Sequence, residues 1–189
     1  MFLIKEKISA QIEVKKSKFI AFLLPFEDFE FYKNTLKNEH PKAAHIVWAY
    51  RYINEFSQIV ENSSDDGEPK GSSAPAVLNA LRGAKLVNAA CLVVRYFGGI
   101  KLGIGGLVRA YGSSANEAIK AAQLLAYEKK EELTICLPFA LIAKAQHFAK
   151  SENLSFKQDF NELGCDFIFM LNEDEKQKLQ IFLKELGVF

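Results

Sequence analysis

Apolar and polar residues alternate from Ile8 to Val14, with Ile8, Ala10, Ile12 and Val14 set against Ser9, Gln11 and Glu13, the period of a half-buried strand. Lys15-Lys16-Ser17-Lys18 interrupts, and Phe19 to Leu24 is a continuous apolar strand closed by Pro25. Phe29, Tyr32 and Leu36 then recur at helical spacing behind Glu27, Asp28 and Glu30, carboxylates suited to the positive end of a helix dipole. Ala44 to Ile53 predicts a strand with Trp48, Tyr50 and Tyr52 on one side and His45, Val47, Ala49 and Arg51 on the other. Asn54-Glu55 predicts a turn into a partner strand, Phe56 to Val60, and residues 61–71 carry the composition of a loop. A helix is expected from about Ala76 to Arg82, a buried strand from Ala89 to Phe97, and a long helix after Gly103 with Ile104, Leu107, Val108, Tyr111, Ala115, Ala118, Ile119, Ala122 and Leu125 on its apolar stripe.

Beyond Tyr127 the texture changes, and the chain divides into residues 1–127 and 128–189. Glu128 to Glu132 is a charged join. Leu133, Ile135 and Leu137 predict a strand; Leu141, Ala145 and Phe148 a helix; two strands then flank Asn161-Glu162-Leu163-Gly164. Leu179, Phe182, Leu183 and Leu186 mark a last helix, whose Asn172 and Glu175 have the spacing of a capping box. The order βαββα predicts helices on one side of an antiparallel sheet, and the whole chain is of the α+β class.

Composition narrows the function more than the fold. The 24 Lys and Arg against 23 Asp and Glu, a net charge of +1, exclude a bulk polycation that holds nucleic acid by charge alone. The charge is uneven, however: residues 61–80 carry one basic and four acidic side chains (net −3), and residues 81–120 six and one (net +5). No apolar run reaches the length of a membrane span, and Phe2-Leu3-Ile4 is too short for the apolar region of a signal peptide. Three cysteines, Cys91, Cys136 and Cys165, without CxxC spacing, fit a reducing cytoplasm better than a disulfide scaffold or zinc ribbon.

The densest candidate chemistry lies between Arg95 and Arg109. Gly98, Gly99, Gly103, Gly105 and Gly106 bring backbone close to a ligand, and the N–H groups at the helix start, with Lys101 and Arg109, offer an anion site. The spacing is not a Walker A loop, and Val108 stands at the third glycine position of the dinucleotide pattern. Arg95, a guanidinium in an apolar strand, needs a counter-charge, which Asp65, Asp66 or Glu68 of the acidic loop can supply. That loop lacks EF-hand spacing and a second ligand cluster, so no metal and no other cofactor is expected. Lys15, Lys16, Lys18, Arg51, Lys70, Arg95, Lys101 and Arg109, with His45 on the Arg51 strand, form a candidate nucleic-acid or anion face if the strands assemble side by side. Trp48, Tyr50 and Tyr52 are candidates for stacking on bases or for the core.

Several stretches resemble the YigZ/IMPACT family: Lys16-Ser17-Lys18-Phe19-Ile20, His45 with its strand, Ser64-Asp65-Asp66-Gly67-Glu68-Pro69, and Val93 to Tyr111 around the glycines. Where the bacterial pattern runs Thr-Ala-Gly after Gly71, this chain has Ser72-Ser73-Ala74. The resemblance implies an N-terminal α/β sandwich like the second domain of ribosomal protein S5 and a ferredoxin-like C-terminal domain similar to one in translocating elongation factors. Eukaryotic relatives regulate translation through a further domain that nothing in these residues resembles. The leading expectation is a non-enzymatic binding protein linked to translation, contacting RNA or a ribosome-associated partner through the basic glycine-rich face. The alternative is an enzyme acting on a phosphorylated or otherwise anionic small molecule in a cleft between Asp65–Glu68 and Gly98–Gly106. A third is a protein-interaction adaptor in which these motifs only support the fold.

Overall fold

A computed structural model describes residues 1–188 and divides the chain into two compact units, Met1–Tyr127 and a second from Glu128 onward. In the first, β2 (Ile8–Val14), β3 (Ser17–Pro25), β4 (His45–Ile53), β5 (Ile59–Ser64) and β6 (Ala89–Tyr96) form one antiparallel sheet in the order β2-β3-β6-β4-β5. Short strands β1 (Phe2–Leu3) and β7 (Leu125–Ala126) pair separately. The period of two assigns the faces. Phe19, Ala21, Leu23, Val47, Ala49, Cys91 and Val93 are buried with residues of α2 (Ala74–Gly83) and α3 (Ile104–Ala121). The alternate residues, Leu24, Ile46, Ala90, Leu92 and Val94, form a second core with Phe29 and Leu36 of α1 (Phe29–Glu39).

Three expectations are corrected. β5 runs through residues assigned to the loop, because its polar side chains find partners: Glu61 lies opposite Arg51 at the sheet edge. The turn before it spans Asn54 to Gln58, held by the Asn54 side chain, which accepts from Phe56 N–H and Gln58 N–H. α3 stops at Ala121, since Leu125 joins β7. Of the strand aromatics, Trp48 and Tyr50 pack partly buried against the α1 core, Trp48 5.1 Å edge-on to Phe29, and Tyr52 stacks at 4.3 Å on Phe26.

In the second unit, β8 (Glu131–Leu137), β9 (Phe156–Asn161) and β10 (Gly164–Leu171) form an antiparallel sheet in the order β8-β10-β9. Ile135, Leu137, Cys165, Phe167, Phe169 and Leu171 share one face and are buried with Ala145 and Ala149 of α4 (Ile142–Ser151) and Leu179 and Leu183 of α5 (Glu173–Glu185). Asn172 and Glu175 make the reciprocal capping-box bonds at the start of α5. No described helix is long and apolar enough to cross a membrane.

Candidate functional site

The sheet register sets Arg95 between Phe19 of β3 and His45 of β4, on the face covered by α2 and α3. A guanidinium there is 5% exposed, and it is neutralised by Glu68, itself 7% exposed, through Arg95 Nη1 to Glu68 Oε1 at 2.6 Å. The same oxygen accepts from the Tyr111 hydroxyl of α3 at 2.7 Å. Burial first, then the bond to Glu68, push the Tyr111 phenol far above its ordinary range, so it stays a neutral donor. The Phe19 and Phe97 rings lie 5.6 and 5.5 Å from the guanidinium carbon.

The loop that delivers Glu68 is fastened by its own acids. Asp65 accepts backbone N–H bonds from Ser73 at 2.9 Å, Ala74 at 2.8 Å and Gly71 at 2.7 Å, closing the start of α2. Burial pushes its carboxyl up, and the three N–H groups together outweigh burial, so it titrates below its ordinary value. Asp66 accepts from Ile46 N–H at 2.6 Å, and its carbonyl oxygen lies 2.7 Å from His45 Nδ1. His45 Nε2 stands 4.0 Å from Glu68 Oε2. The described residues contain no cluster of His, Cys, Asp and Glu able to hold a metal ion. Burial pushes the Cys91 thiol up to about 12, far from a reactive thiolate.

Opposite this loop runs the glycine bend. A Cβ on Gly98 would stand 2.0 Å from the carbonyl carbon of Lys16, so only glycine lets the β2–β3 turn pass. Ser17 Oγ accepts from Gly98 N–H at 3.1 Å. Gly103, at φ +69°, turns the chain into α3 without a side-chain cap. The first helical bond runs from Leu107 N–H to Gly103 O, leaving the N–H groups of Ile104, Gly105 and Gly106 without helical partners. Between bend and loop lies a hollow of about 280 Å³, lined by Glu68, Pro69, Arg95, Phe97, Lys101 and the first turn of α3. A smaller one of about 160 Å³, with Lys15 and Arg109 in its wall, shares Leu102 with it.

The structure thus gathers Glu68, Arg95, Lys101 and Gly103 around one hollow, with Arg109 and Gly106 at the next. His45 adjoins through Glu68. Gly99 and Gly105 are exposed on the same bend, and Lys70 is exposed beside Pro69. Two residues do not join. Lys18 pairs with Glu13 and Tyr96 in register, and its position in the alternation sets it on the α1 face of the sheet. Arg51 donates through Nε to Glu61 at 2.7 Å and through Nη1 to Leu86 O at 2.8 Å, a separate cluster with Arg82. Reading Tyr111 as one more member of an apolar stripe missed its part in the network. Its hydroxyl was the available signal, since a buried phenol needs a partner.

The profile of the Impact N-terminal domain matches residues 15–119, which include both the acidic loop and the glycine bend. The chain belongs to the IMPACT family. An IMPACT family member of Haemophilus influenzae is 40% identical over 134 residues, 69% of this chain and 64% of that protein. The IMPACT family member YigZ of Escherichia coli is 38% identical over 127 residues, 65% of this chain and 60% of that protein. The chain therefore spans less than two thirds of each of these two relatives. A crystal structure titled only as that of a hypothetical protein superposes with a TM-score of 0.76 at 26% identity, covering 100% of this chain and 91% of that one.

Proposed function

We propose that this IMPACT family protein is a non-enzymatic binding protein of translation, and that it contacts RNA through the face built by Lys15, Lys101, Arg109 and the start of α3. In this reading the first unit is a module like the second domain of ribosomal protein S5 and the second a ferredoxin-like one, both resembling parts of the translation machinery. The observation that carries the reading is the gathering of exposed cations around unpartnered helix N–H groups. Lys15, Lys101 and Arg109 make no ion pair among the described residues, while Glu68, the carboxylate that lines the hollow with Lys101, is already neutralised by Arg95. Free cations beside a positive helix terminus attract phosphate without reading sequence.

The enzymatic alternative has less to support it. Asp65 holds α2, Asp66 holds β4 and Glu68 holds Arg95, so each acid that would serve as base or metal ligand is engaged elsewhere. Fluorescence anisotropy with labelled single-stranded RNA tests the binding reading. Affinity falls as salt rises, and Lys101→Ala and Arg109→Ala each weaken binding and lower the salt slope by about one. Undetectable binding at low salt, or binding indifferent to salt and to both substitutions, overturns it. Capture of a ribosomal protein that survives nuclease treatment moves the partner from RNA to protein.

A further inference from the structure

The hollow between Glu68 and Gly103 combines two kinds of surface. One wall is apolar: Pro69, the first-turn side chain Ile104, 65% exposed, and the ring of Phe97, 51% exposed. The other is cationic: Lys101, Arg95 and the Gly103–Ile104 start of α3, where the Ile104 N–H has no helical partner. Arg95 is the decisive member. It is 5% exposed, and among the described residues its only hydrogen bond goes from Nη1 to Glu68, which leaves Nη2 without a partner; its Nε, also unpartnered, is sealed from solvent. A buried guanidinium with unused donors in the wall of a hollow is fixed in place and short of an acceptor. Its carbon also lies 5.5 Å from the centre of the Phe97 ring, within cation–π range. The volume, about 280 Å³, lies at the small end of ligand pockets and suits one planar group with one anion.

We propose that this hollow receives a single nucleoside monophosphate unit, free or as a link in an RNA chain, with its base against Phe97 and Arg95 and its phosphate at the start of α3 beside Lys101. A base supplies a stacking face and ring acceptors for the guanidinium, and a phosphate suits the Ile104 N–H at the positive start of α3 with Lys101 beside it. Glu68 also lines the hollow, and before any ligand arrives its charge is compensated by Arg95 and its Oε1 accepts from the neutral Tyr111 hydroxyl. In its RNA form the proposal rests on the reading given above; in its free form it does not.

The test uses the full chain with two probes: adenosine 5′-monophosphate by calorimetry, and the labelled RNA by anisotropy. Each is measured for the native chain, Phe97→Ala and Phe97→Trp. Because Phe97 is half exposed, Phe97→Ala is expected to fold, and its thermal unfolding verifies that. Stacking on the ring predicts a loss of roughly ten-fold in Phe97→Ala, recovered in Phe97→Trp, with the salt slope unchanged. Loss with the mononucleotide alone, and no RNA binding, upholds the hollow as a receptor for free nucleotide and overturns the RNA reading. Loss with RNA, with or without the mononucleotide, upholds it as the seat of one RNA nucleotide. No loss with either probe overturns the proposal. RNA binding that persists in Phe97→Ala but falls in Arg109→Ala leaves the surface reading standing without the RNA form of the proposal, and without the proposal altogether when mononucleotide binding is unchanged too.

Discussion

Two arginines project from the same face of the first sheet, and each meets a glutamate, but the two clusters are built to different ends. Arg51 spreads its donors over Glu61 and the carbonyl of Leu86, and Glu61 takes Arg82 as well. The Arg82 bond first, aided by Arg51 against the opposing effect of burial, holds the Glu61 carboxyl below its ordinary value. That cluster ties a sheet edge to α2. Arg95 is more deeply buried but less completely paired, and a hollow opens beside it. The contrast teaches that a buried arginine marks a site when its donors outnumber the acceptors the fold supplies. When they are matched it marks a joint.

The comparison is tested hardest by removing each glutamate. Glu68→Ala leaves Arg95 buried without a counter-charge and is expected to cost about 4 kcal/mol in urea unfolding. Arg95→Met with Glu68→Leu recovers most of that loss, because both desolvated charges go together. Glu61→Ala, at the partly exposed joint, is expected to cost about 1.5 kcal/mol, since Arg51 keeps its carbonyl partner. Equal losses for the two alanines would erase the distinction.

The next test concerns the glycines. Gly98→Ala forces the new methyl into the backbone of Lys16 and should destabilise by about 3 kcal/mol. Gly105→Ala meets only the end of the Arg109 side chain, at 3.6 Å, and should be neutral or stabilising by about 0.5 kcal/mol. A pH-dependent effect sharpens the role of the acidic loop. Asp65 titrates below its ordinary value in the folded chain, so its contribution is fully present above about pH 4 and fades as the pH falls through the folded value. Asp65→Asn is therefore expected to cost about 1 kcal/mol at neutral pH, with the deficit shrinking in acid. A deficit that is the same at both pH values would deny the carboxylate its role at α2.

Strand alternation made the sheet faces legible before any coordinates, because a period of two leaves no choice once one residue is assigned inward. It set His45 and Arg51 on one side of their strand and Trp48 and Tyr50 on the other, whereas the side taken by Arg95, in an otherwise apolar strand, emerges only from its register with His45. The buried charge rule foresaw an acid of the 65–68 loop beside Arg95. What stayed hidden depends on distance across the chain. Nothing local distinguishes Arg51, which finds carbonyls at the end of α2, from Arg95, which finds a hollow. β5 was obscured because an edge strand can be polar on both faces and still pair. The role of Gly98 was invisible because the atom it avoids belongs to a turn some eighty residues earlier in the chain.

That close pass has an experimental use. Lys16, exposed and held at φ +65°, has its backbone pressed on the floor of the bend while its side chain stands in solvent. A fluorophore or spin label carried at position 16 would serve as an antenna, sensing occupancy of the neighbouring region through the shared main chain without itself occupying the space a ligand needs.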